Sequence, residues 1–250
     1  MKVSIVTVVY NNVETIESAI SSVRSQDYPD VEYIVIDGNS SDGTKDVLYR
    51  NDDLIDILVS ESDSGIYDAM NKGVAMASGE VVAILNSDDL FWDEHVISDV
   101  VHAFNENPEA QIIYGNIAYV RKGDENNLVR LWKSKDYYKG FFEDGHVPPH
   151  PGFYVKRECY QEGGVFKEQL KLAADYNLMF RFMKVKEFES KYIDRNMVRM
   201  RLGGATNQSF SNIIDGNKEI LATWRSYGFQ PPFSFLLKKL WHRVVQFRSH

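Results

Sequence analysis

The chain has 250 residues, of which 44% are hydrophobic and 26% are charged, a composition typical of one globular domain with at most a modest appendage. This composition excludes a disordered chain, a collagen and a coiled coil. The net charge of −8 is unevenly spread: residues 1–90 hold 5 basic and 17 acidic side chains, whereas residues 220–250 hold 5 basic and no acidic ones. Such an acidic N-terminal third repels a phosphodiester backbone, and we therefore expect no nucleic-acid partner. An anionic ligand that binds to this third needs a cation beside it.

We identify no signal peptide and no transmembrane helix in the sequence. The early apolar run from Val3 to Tyr10 is interrupted by Asn11-Asn12, too soon for a signal peptide or a transmembrane helix. The single cysteine, Cys159, has no partner for an internal disulfide and no motif around it, so we expect an inert thiol. These features predict a cytoplasmic protein in a reducing compartment.

Apolar, β-branched runs alternate with helical patterns over the first 90 residues, in the order β-α-β-α-β-α-β. The predicted elements are strands Val3–Val9, Val31–Ile36, Ile55–Val59 and Val81–Leu85 and helices at about 13–25, 43–50 and 66–77. Continuous apolar strands joined through helices predict an α/β fold with a doubly wound, mostly parallel central sheet and helices on both faces. Ligands bind such sheets beyond the carboxyl ends of the strands.

The pattern is less regular from residue 91 onward. The predicted elements there are a helix at 93–105, short strands at 111–114 and 117–120, a turn at 124–127, an aromatic loop at 134–150, a strand at 152–155 and a helix at 174–184. Gly203-Gly204 breaks the chain before a helix at about 210–227, the first of the predicted C-terminal helices.

The last segment, 233–247, has the periodicity of an amphipathic helix. At 100° per residue, one face holds Phe233, Leu236, Leu237, Leu240, Trp241, Val244 and Phe247. The basic residues Lys238, Lys239, His242 and Arg243 lie opposite or beside that face. Such a face either packs on the core or lies in an anionic membrane surface, since an apolar face with a Trp and basic flanks is typical of interfacial helices. Membrane contact through 233–248 is therefore one of two open alternatives.

Acidic residues follow three of the predicted strands. Asp37 comes directly after the second strand, where a carboxylate can accept hydrogen bonds from a base or ribose, and Asp63 precedes the flexible Gly65 after the third. Asp88 and Asp89 follow the fourth strand, where two adjacent carboxylates repel each other and burial raises their pKa values unless a cation lies between them. Mg²⁺ or Mn²⁺ satisfies this requirement, because such an ion binds one or two carboxylates and completes its shell with water and ligand phosphates.

Four motifs in chain order resemble those of family 2 glycosyltransferases of the GT-A fold. They are Ser4–Asn11, Asp37–Thr44, Asp63–Gly73 and Ser87–Asp89. The resemblance implies inverting transfer from a nucleotide-diphosphate sugar, with a UDP-sugar favoured by the family, and Mg²⁺ or Mn²⁺ on the diphosphate. By the family pattern Thr7, Tyr10, Asp37 and Asp63 line the nucleoside pocket, Asn71 and Lys72 belong to the donor-binding set, Asp88 faces the ribose and Asp89 binds the metal. Ser87 stands at the first position of the family's Asp-x-Asp motif.

The second half resembles the family at three further places. Asp175, before a helical pattern, resembles the acidic residue that acts as general base in direct displacement, although an Asp in this position is also a common helix cap. His150 and the loop containing Arg201 and Gly204 resemble segments that contact phosphate or acceptor. For Lys72 a surface pair with Asp68 is the alternative, because the two are i,i+4 neighbours on a helix.

These motifs imply a division of labour along the chain. We assign residues 1–90 to nucleotide-sugar binding, 91–209 to acceptor binding and catalysis in the same domain, and 210–250 to a helical extension. The implied acceptor is a glycan or a lipid-linked hydroxyl, and an extension that binds membrane would place the enzyme on the inner face of the membrane.

Three other functions are less compatible with the sequence. A sugar nucleotidyltransferase is expected to carry a glycine-rich, basic loop after the first strand, where this chain has Tyr10-Asn11-Asn12-Val13-Glu14. The acids at positions 37, 63, 88, 89 and 175 argue against an inactive nucleotide-sugar-binding module. A Rossmann dehydrogenase is excluded because no Gly-x-Gly-x-x-Gly follows the first strand.

Overall fold

The computed structural model describes residues 1–202 and 210–245, without the side chains of 210 and 243–245. The strands are β1 Val3–Val9, β2 Val31–Asp37, β3 Ile57–Ser60, β4 Val81–Ile84, β5 Asp89–Phe91, β6 Ile112–Arg121, β7 Asp124–Trp132, β8 Phe153–Lys156 and β9 Ser190–Arg201. The helices are α1 Ile16–Arg24, α2 Thr44–Arg50, α3 Ile66–Met76, α4 Val96–Glu106, α5 Arg157–Gly163, α6 Ala174–Phe180, α7 Phe210–Ser226 and α8 Phe235–Val245. A π-helical turn, Arg181–Val185, continues α6.

The nine strands of residues 1–202 all belong to one mixed sheet, in the order β3-β2-β1-β4-β8-β6-β9-β5, with β7 paired to β6. The four strands of the first 90 residues are parallel, as the alternation of strands and helices predicts. Strand β8 runs antiparallel to both β4 and β6, whereas β6 and β9 are parallel. The predicted α/β fold with a mostly parallel central sheet is confirmed, and its antiparallel strands all come from the second half of the chain or from β5.

Two hydrophobic cores cover the two faces of the sheet. One is formed with α1, α2 and α4, and the other with α3, α5, α6 and α7. Strand β1 serves both, because Val3 and Ile5 point to the first core and Val6 and Val8 to the second. Cys159 is free and buried in the second core, where burial raises the pKa of its thiol to about 12. This burial agrees with the inert thiol expected from the sequence.

Strands in the second half differ from the sequence prediction. The predicted turn at 124–127 is wrong, because these residues begin β7, and the two predicted strands at 111–114 and 117–120 form the single strand β6. Strand β9 was not predicted. Both β7 and β9 are rich in charged residues and mostly half-exposed, so they lack the apolar pattern of a buried strand. Pairing with β6, which is buried along nearly its whole length, decides their conformation.

Helix α8 forms where the sequence predicts a terminal helix, but its apolar stripe does not join the core. Phe235 is buried in the second core, whereas Leu237, Leu240 and Trp241 are exposed. Within residues 1–202 and 210–245, no helix is both long enough and apolar enough to span a bilayer.

Candidate active site

A cleft of about 840 Å³ opens at the carboxyl ends of β1 and β4, between the segment after β3 and the end of β9. Four of the sequence-predicted site residues line this cleft: Tyr10, Asp63, Asp88 and Arg201. These residues come from four separate segments, which meet because parallel strands end at the same edge of a sheet. The predicted ligand-binding edge and the observed cleft therefore coincide.

The end of the cleft near β2 is built around Gly38. A Cβ placed on Gly38 would lie 2.5 Å from Asp63 Oδ2 and 3.2 Å from the ring of Tyr10. A side chain at position 38 would displace the Asp63 carboxylate, so glycine is what allows this close approach. Asp63 Oδ1 accepts a hydrogen bond from the N–H of Gly65 at 2.9 Å. An exposed aromatic ring and a fixed carboxylate at one end of a cleft suit a flat, hydrogen-bonding ligand such as a nucleobase.

Asp37 is not among the residues that line the cleft. Its side chain is fully buried and accepts hydrogen bonds from the Ser60 hydroxyl at 2.6 Å and from the backbone N–H of Ser40 at 3.2 Å. The Ser40 hydroxyl in turn accepts a bond from the N–H of Asn11 at 2.8 Å. Asp37 thus fixes the loops that carry Tyr10 and Gly38, and the structure does not bring its carboxylate to the ligand space.

Three other predicted residues also lie outside the cleft. Thr7 is buried in the sheet and accepts a hydrogen bond from the Tyr33 hydroxyl at 3.2 Å. Asn71 joins α3 to the segment before α6, donating to the carbonyl of Phe166 and accepting from its N–H, both at 2.9 Å. Lys72 pairs with Glu61 at 2.8 Å and with Asp68 at 3.5 Å. Sequence spacing does not determine where these three side chains point. The contacts of Lys72 are those of the alternative interpretation, a surface pair with Asp68.

The acidic pair after β4 has the charge environment of a cation site. Asp88 lines the cleft, and burial raises its pKa although Arg201 and Lys122 act in the opposite direction. Asp89 is fully buried beside it; burial, and next the charge of Asp88, raise its pKa well above the ordinary value. Asp89 Oδ1 and Asn86 Oδ1 are both buried without a hydrogen-bond partner in the described part of the chain.

These donors fit a hard divalent ion. Two carboxylates and an amide oxygen are the ligand types that Mg²⁺ and Mn²⁺ prefer. A cation bound to the unpartnered oxygens of Asp89 and Asn86 would offset the free-energy cost of burying them without hydrogen bonds. Among the described residues, no group of three or more His, Cys, Asp or Glu side chains is arranged for a metal. An ion here therefore needs ligands from a bound phosphate or water, as Mg²⁺ usually does.

Among the described residues, the cations Arg201 and Lys122 line the cleft and balance its acids. Arg201 is buried, donates to the carbonyl of Asp88 at 3.0 Å and pairs with Glu125 at 2.7 Å, so it ties the end of β9 to the acidic pair. Lys122, in the turn between β6 and β7, pairs with Glu14 at 2.5 Å. The sequence pattern does not reveal Lys122, because its position depends on β7, whose first residues resemble a turn.

A second polar group is connected to the cleft wall through the start of α3. Ile66 lines the cleft, and the next residue, Tyr67, places its hydroxyl 3.5 Å from Asp175 Oδ1. Asp175 is in the first turn of α6 and accepts a bond from the N–H of Tyr176 at 2.8 Å. Burial lowers the pKa of His150, and the charge of Asp175 acts against this. Asp175, His150 and Tyr67 thus form one cluster, in which Asp175 is the ionisable carboxylate.

The segment that leads into Asp175 is held by a carboxylate from α7. Glu219 accepts hydrogen bonds from three consecutive backbone N–H groups, those of Lys171, Leu172 and Ala173, each at 2.9 Å. Bonds to a charged acceptor are stronger than neutral ones. Glu219 is therefore a functional candidate that sequence reasoning missed. Gly204, the remaining predicted residue, lies outside the described residues.

Comparison with known proteins assigns the chain to a family. Residues 4–188 match the family model described as Glycosyl transferase family 2. The chain belongs to glycosyltransferase family 2. It is 35% identical over 190 residues to an uncharacterized glycosyltransferase of Mycobacterium tuberculosis, an alignment that covers 74% of this chain and 70% of the relative. Family membership decides against the nucleotidyltransferase and dehydrogenase alternatives.

Solved glycosyltransferase structures share the fold. S. aureus TarS 1–349 matches with a TM-score of 0.68 at 16% identity, over 100% of this chain and 74% of that chain; its complex with UDP-GlcNAc matches with a TM-score of 0.65. The mannosyltransferase PcManGT from Pyrobaculum calidifontis, in complex with GDP-Man and Mn²⁺, matches with a TM-score of 0.68 at 19% identity, over 98% of this chain and 70% of that chain. At these identities the likeness shows the shared α/β fold.

Proposed function

We propose that this family 2 glycosyltransferase transfers a sugar from a nucleotide-diphosphate donor, a UDP-sugar, to a hydroxyl of a glycan or lipid-linked acceptor, with inversion. The observation that carries the proposal is the cleft in which Tyr10, Asp63 and Asp88 converge with two cations, and from whose wall α3 leads to a separate carboxylate, Asp175. The fold neighbours that hold UDP-GlcNAc and GDP-Man support a nucleotide-sugar ligand. Residues 1–90 would supply the donor end of the cleft and 91–209 the base.

Each end of the cleft has a distinct task in this proposal. Tyr10 stacks on the base, and the Asp63 carboxylate over Gly38 accepts hydrogen bonds from the base or its ribose, as Asp88 does further along. Lys122 and Arg201 offset the negative charge of the diphosphate, which an acidic N-terminal third otherwise repels. Asp37 and Ser40 hold the loops in place, so their part is in positioning.

Asp89, with Asp88 and Asn86, is the set that would hold Mg²⁺ or Mn²⁺. When bound, the ion supplies positive charge to the leaving diphosphate. The Mn²⁺ in the mannosyltransferase of the same fold supports this part of the proposal.

Asp175 acts on the acceptor. As the acceptor oxygen bonds to the anomeric carbon, Asp175 takes the proton of that hydroxyl, and the bond between the anomeric carbon and the diphosphate oxygen breaks on the opposite side. Direct displacement inverts the configuration of the sugar. Tyr67 and His150 exclude water around the carboxylate and keep it oriented.

The test is donor turnover with water as the acceptor, measured as release of UDP and as the anomeric configuration of the free sugar. We expect an inverted product from wild type, and for Asp175→Asn retained donor binding with a loss of about a hundredfold or more in turnover. Asp46→Asn, an exposed carboxylate on α2, is the matched control. Normal turnover by Asp175→Asn, or a product of retained configuration, would overturn the assigned mechanism.

A further inference from the structure

Helix α8 packs on the protein through its polar side. Lys238 pairs with Asp144 at 2.8 Å, and the ring of His242 stacks on His146 with centroids 4.1 Å apart. A Cβ on Gly145 would lie 2.6 Å from the backbone nitrogen of Lys239, so the helix backbone rests directly on the 144–146 loop. This contact fixes which side of α8 faces the protein.

The apolar side of α8 consequently points to solvent. Leu237, Leu240 and Trp241 are 66%, 59% and 63% exposed, and Phe233, just before the helix, is fully exposed. An ordinary terminal helix buries such a stripe, whereas among the described side chains of α8 it is Phe235 that reaches the core, against Trp224. A contiguous exposed apolar face on an ordered helix indicates an interaction surface.

Charge identifies what this surface binds. All 36 Asp and Glu residues of the chain precede residue 220, and the last 31 residues hold five Lys and Arg. Lys238 pairs with Asp144 and Lys239 donates to Asn217 on the protein side of the helix, but the segment as a whole has no acid of its own, so α8 belongs to a basic tail on a protein that is otherwise acidic. If α8 paired with α8 of a second copy of the chain, the like charges of the two helices would repel each other. A neutral partner would not be attracted by the basic residues. An anionic lipid surface complements both features, because each nearby Lys or Arg adds to its attraction.

We propose that α8 lies in the plane of a bilayer containing anionic lipids, with Leu237, Leu240 and Trp241 buried at the boundary between headgroups and acyl chains. The described part of the helix spans 11 residues, and no helix of the described residues is long and apolar enough to cross a bilayer, so we place α8 along the bilayer surface. Its polar side then faces the protein, and Trp241 occupies the depth that interfacial Trp residues prefer.

This placement also bears on the acceptor. The loop under α8 runs from His146 to His150, which are at most about 14 Å apart along the chain, and His150 belongs to the Asp175 cluster. A short stretch of loop thus connects the residue under α8 with the cluster of the proposed base. A helix bound to the membrane near the base favours a lipid-linked acceptor that is presented at the level of the headgroups. This inference about the acceptor rests on the proposed function.

The test is flotation of the full chain with vesicles of phosphatidylcholine alone or of phosphatidylcholine and phosphatidylglycerol in equal amounts. We expect wild type to float with the anionic vesicles and to be released by high salt, which shortens the range of charge attraction. The combined variant Leu237→Ser, Leu240→Ser, Trp241→Ser should lose about a hundredfold or more in vesicle partitioning. These side chains are exposed, so the fold should persist, which circular dichroism checks. The matched control is Tyr49→Ser with Met76→Ser, two exposed apolar residues on α2 and α3.

The outcomes separate the alternatives. The proposal would be overturned if the wild-type protein did not float with anionic vesicles, or if the triple variant floated with them to the same extent as wild type. Light scattering that shows a dimer in wild type and a monomer in the variant would overturn it in favour of a self-interface. Vesicle binding does not depend on sugar transfer, so UDP release by both proteins, measured without vesicles, reports on the proposed function separately.

Discussion

The carboxylate of Glu219 accepts a hydrogen bond from the backbone N–H of Ala173, with a nitrogen-to-oxygen distance of 2.9 Å. Ala173 lies two residues before Asp175, and the same carboxylate binds the N–H groups of the two preceding residues. Helix α7 thereby holds the segment that carries the proposed base. A catalytic carboxylate misplaced by about 1 Å can lose up to ~10²-fold in rate.

We expect Glu219→Gln to lower the kcat for donor turnover about tenfold or more while the KM for the donor stays unchanged, because an amide cannot accept on both of its terminal atoms. Steady-state kinetics of UDP release measures this split. Asp215→Asn, which alters an exposed pair with Lys218 on the same helix, is the control. A variant whose KM rises with no change in kcat would show that Glu219 acts on donor binding instead.

Gly38 should control donor affinity through Asp63. In Gly38→Ala the new methyl group meets the Asp63 carboxylate, which must move, so we expect donor affinity to fall about tenfold with little change in the free energy of unfolding. In the Asp63→Ala background the same change should have little further effect, because residues in contact are energetically coupled. Calorimetric titration of the four proteins measures the coupling. Additive losses would show that Gly38 acts by another route.

Glu32 should make stability depend on pH in the acidic range. Burial opposes its charge, but hydrogen bonds from Lys2, Ser4 and Ser78 outweigh burial and lower its pKa to about 2. Since the pKa is ~4.3 in an unfolded chain, the folded state is favoured by on the order of 3 kcal/mol above that pH, and this is lost as the pH falls toward 2. We expect the difference in unfolding free energy between wild type and Glu32→Gln to shrink over this window in urea titrations. A difference that stays constant down to pH ~2 would contradict the assignment.

Much of the first half could be predicted from sequence, because parallel strands buried on both faces are largely apolar. The runs around Ile5, Ile34 and Val82 show this, and the ends of the first and last of these strands locate Tyr10 and Asp88. The directions of side chains beyond the strand ends are set by loop geometry. Asp37 is the last residue of β2 and Asp63 follows β3, yet only Asp63 lines the cleft.

The second half was less predictable for a physical reason. Strands β7 and β9 gain their conformation from pairing with β6, and their polar residues resemble a turn or a surface segment when read alone. The positions of Lys122 and Arg201 depend on those strands. The contact made by Glu219 joins α7 to a segment 46 residues or more before it in the chain, and such a pairing has no local sequence signal.

The contact between His146 and His242 should show itself in solution. Burial, and then the charge of His242, lower the pKa of His146 to about 4, with Lys135 and Lys238 acting the same way and Asp144 against them. Because the pKa of His146 is lower in the folded protein than in the unfolded chain, the contribution of neutral His146 to stability is present above pH ~6.5. This contribution is lost as the pH falls toward 4. We expect NMR titration to place His146 near 4 and His242→Asn to raise this value. Titration of His146 at or above ~6.5 would show that α8 does not cover it.

The proposed donor site is tested most directly by calorimetric titration of a UDP-sugar into wild type and Asp89→Ala, each with Mn²⁺ and with a chelator. We expect wild type to bind the UDP-sugar with Mn²⁺ and to lose about tenfold or more in affinity with the chelator, since the ion offsets two adjacent buried carboxylates and the diphosphate. Asp89→Ala should bind equally weakly under both conditions. No binding of UDP-, GDP- or dTDP-sugars by wild type with Mn²⁺, or equal affinity with and without the metal, would contradict a metal-assisted donor site at Asp88 and Asp89.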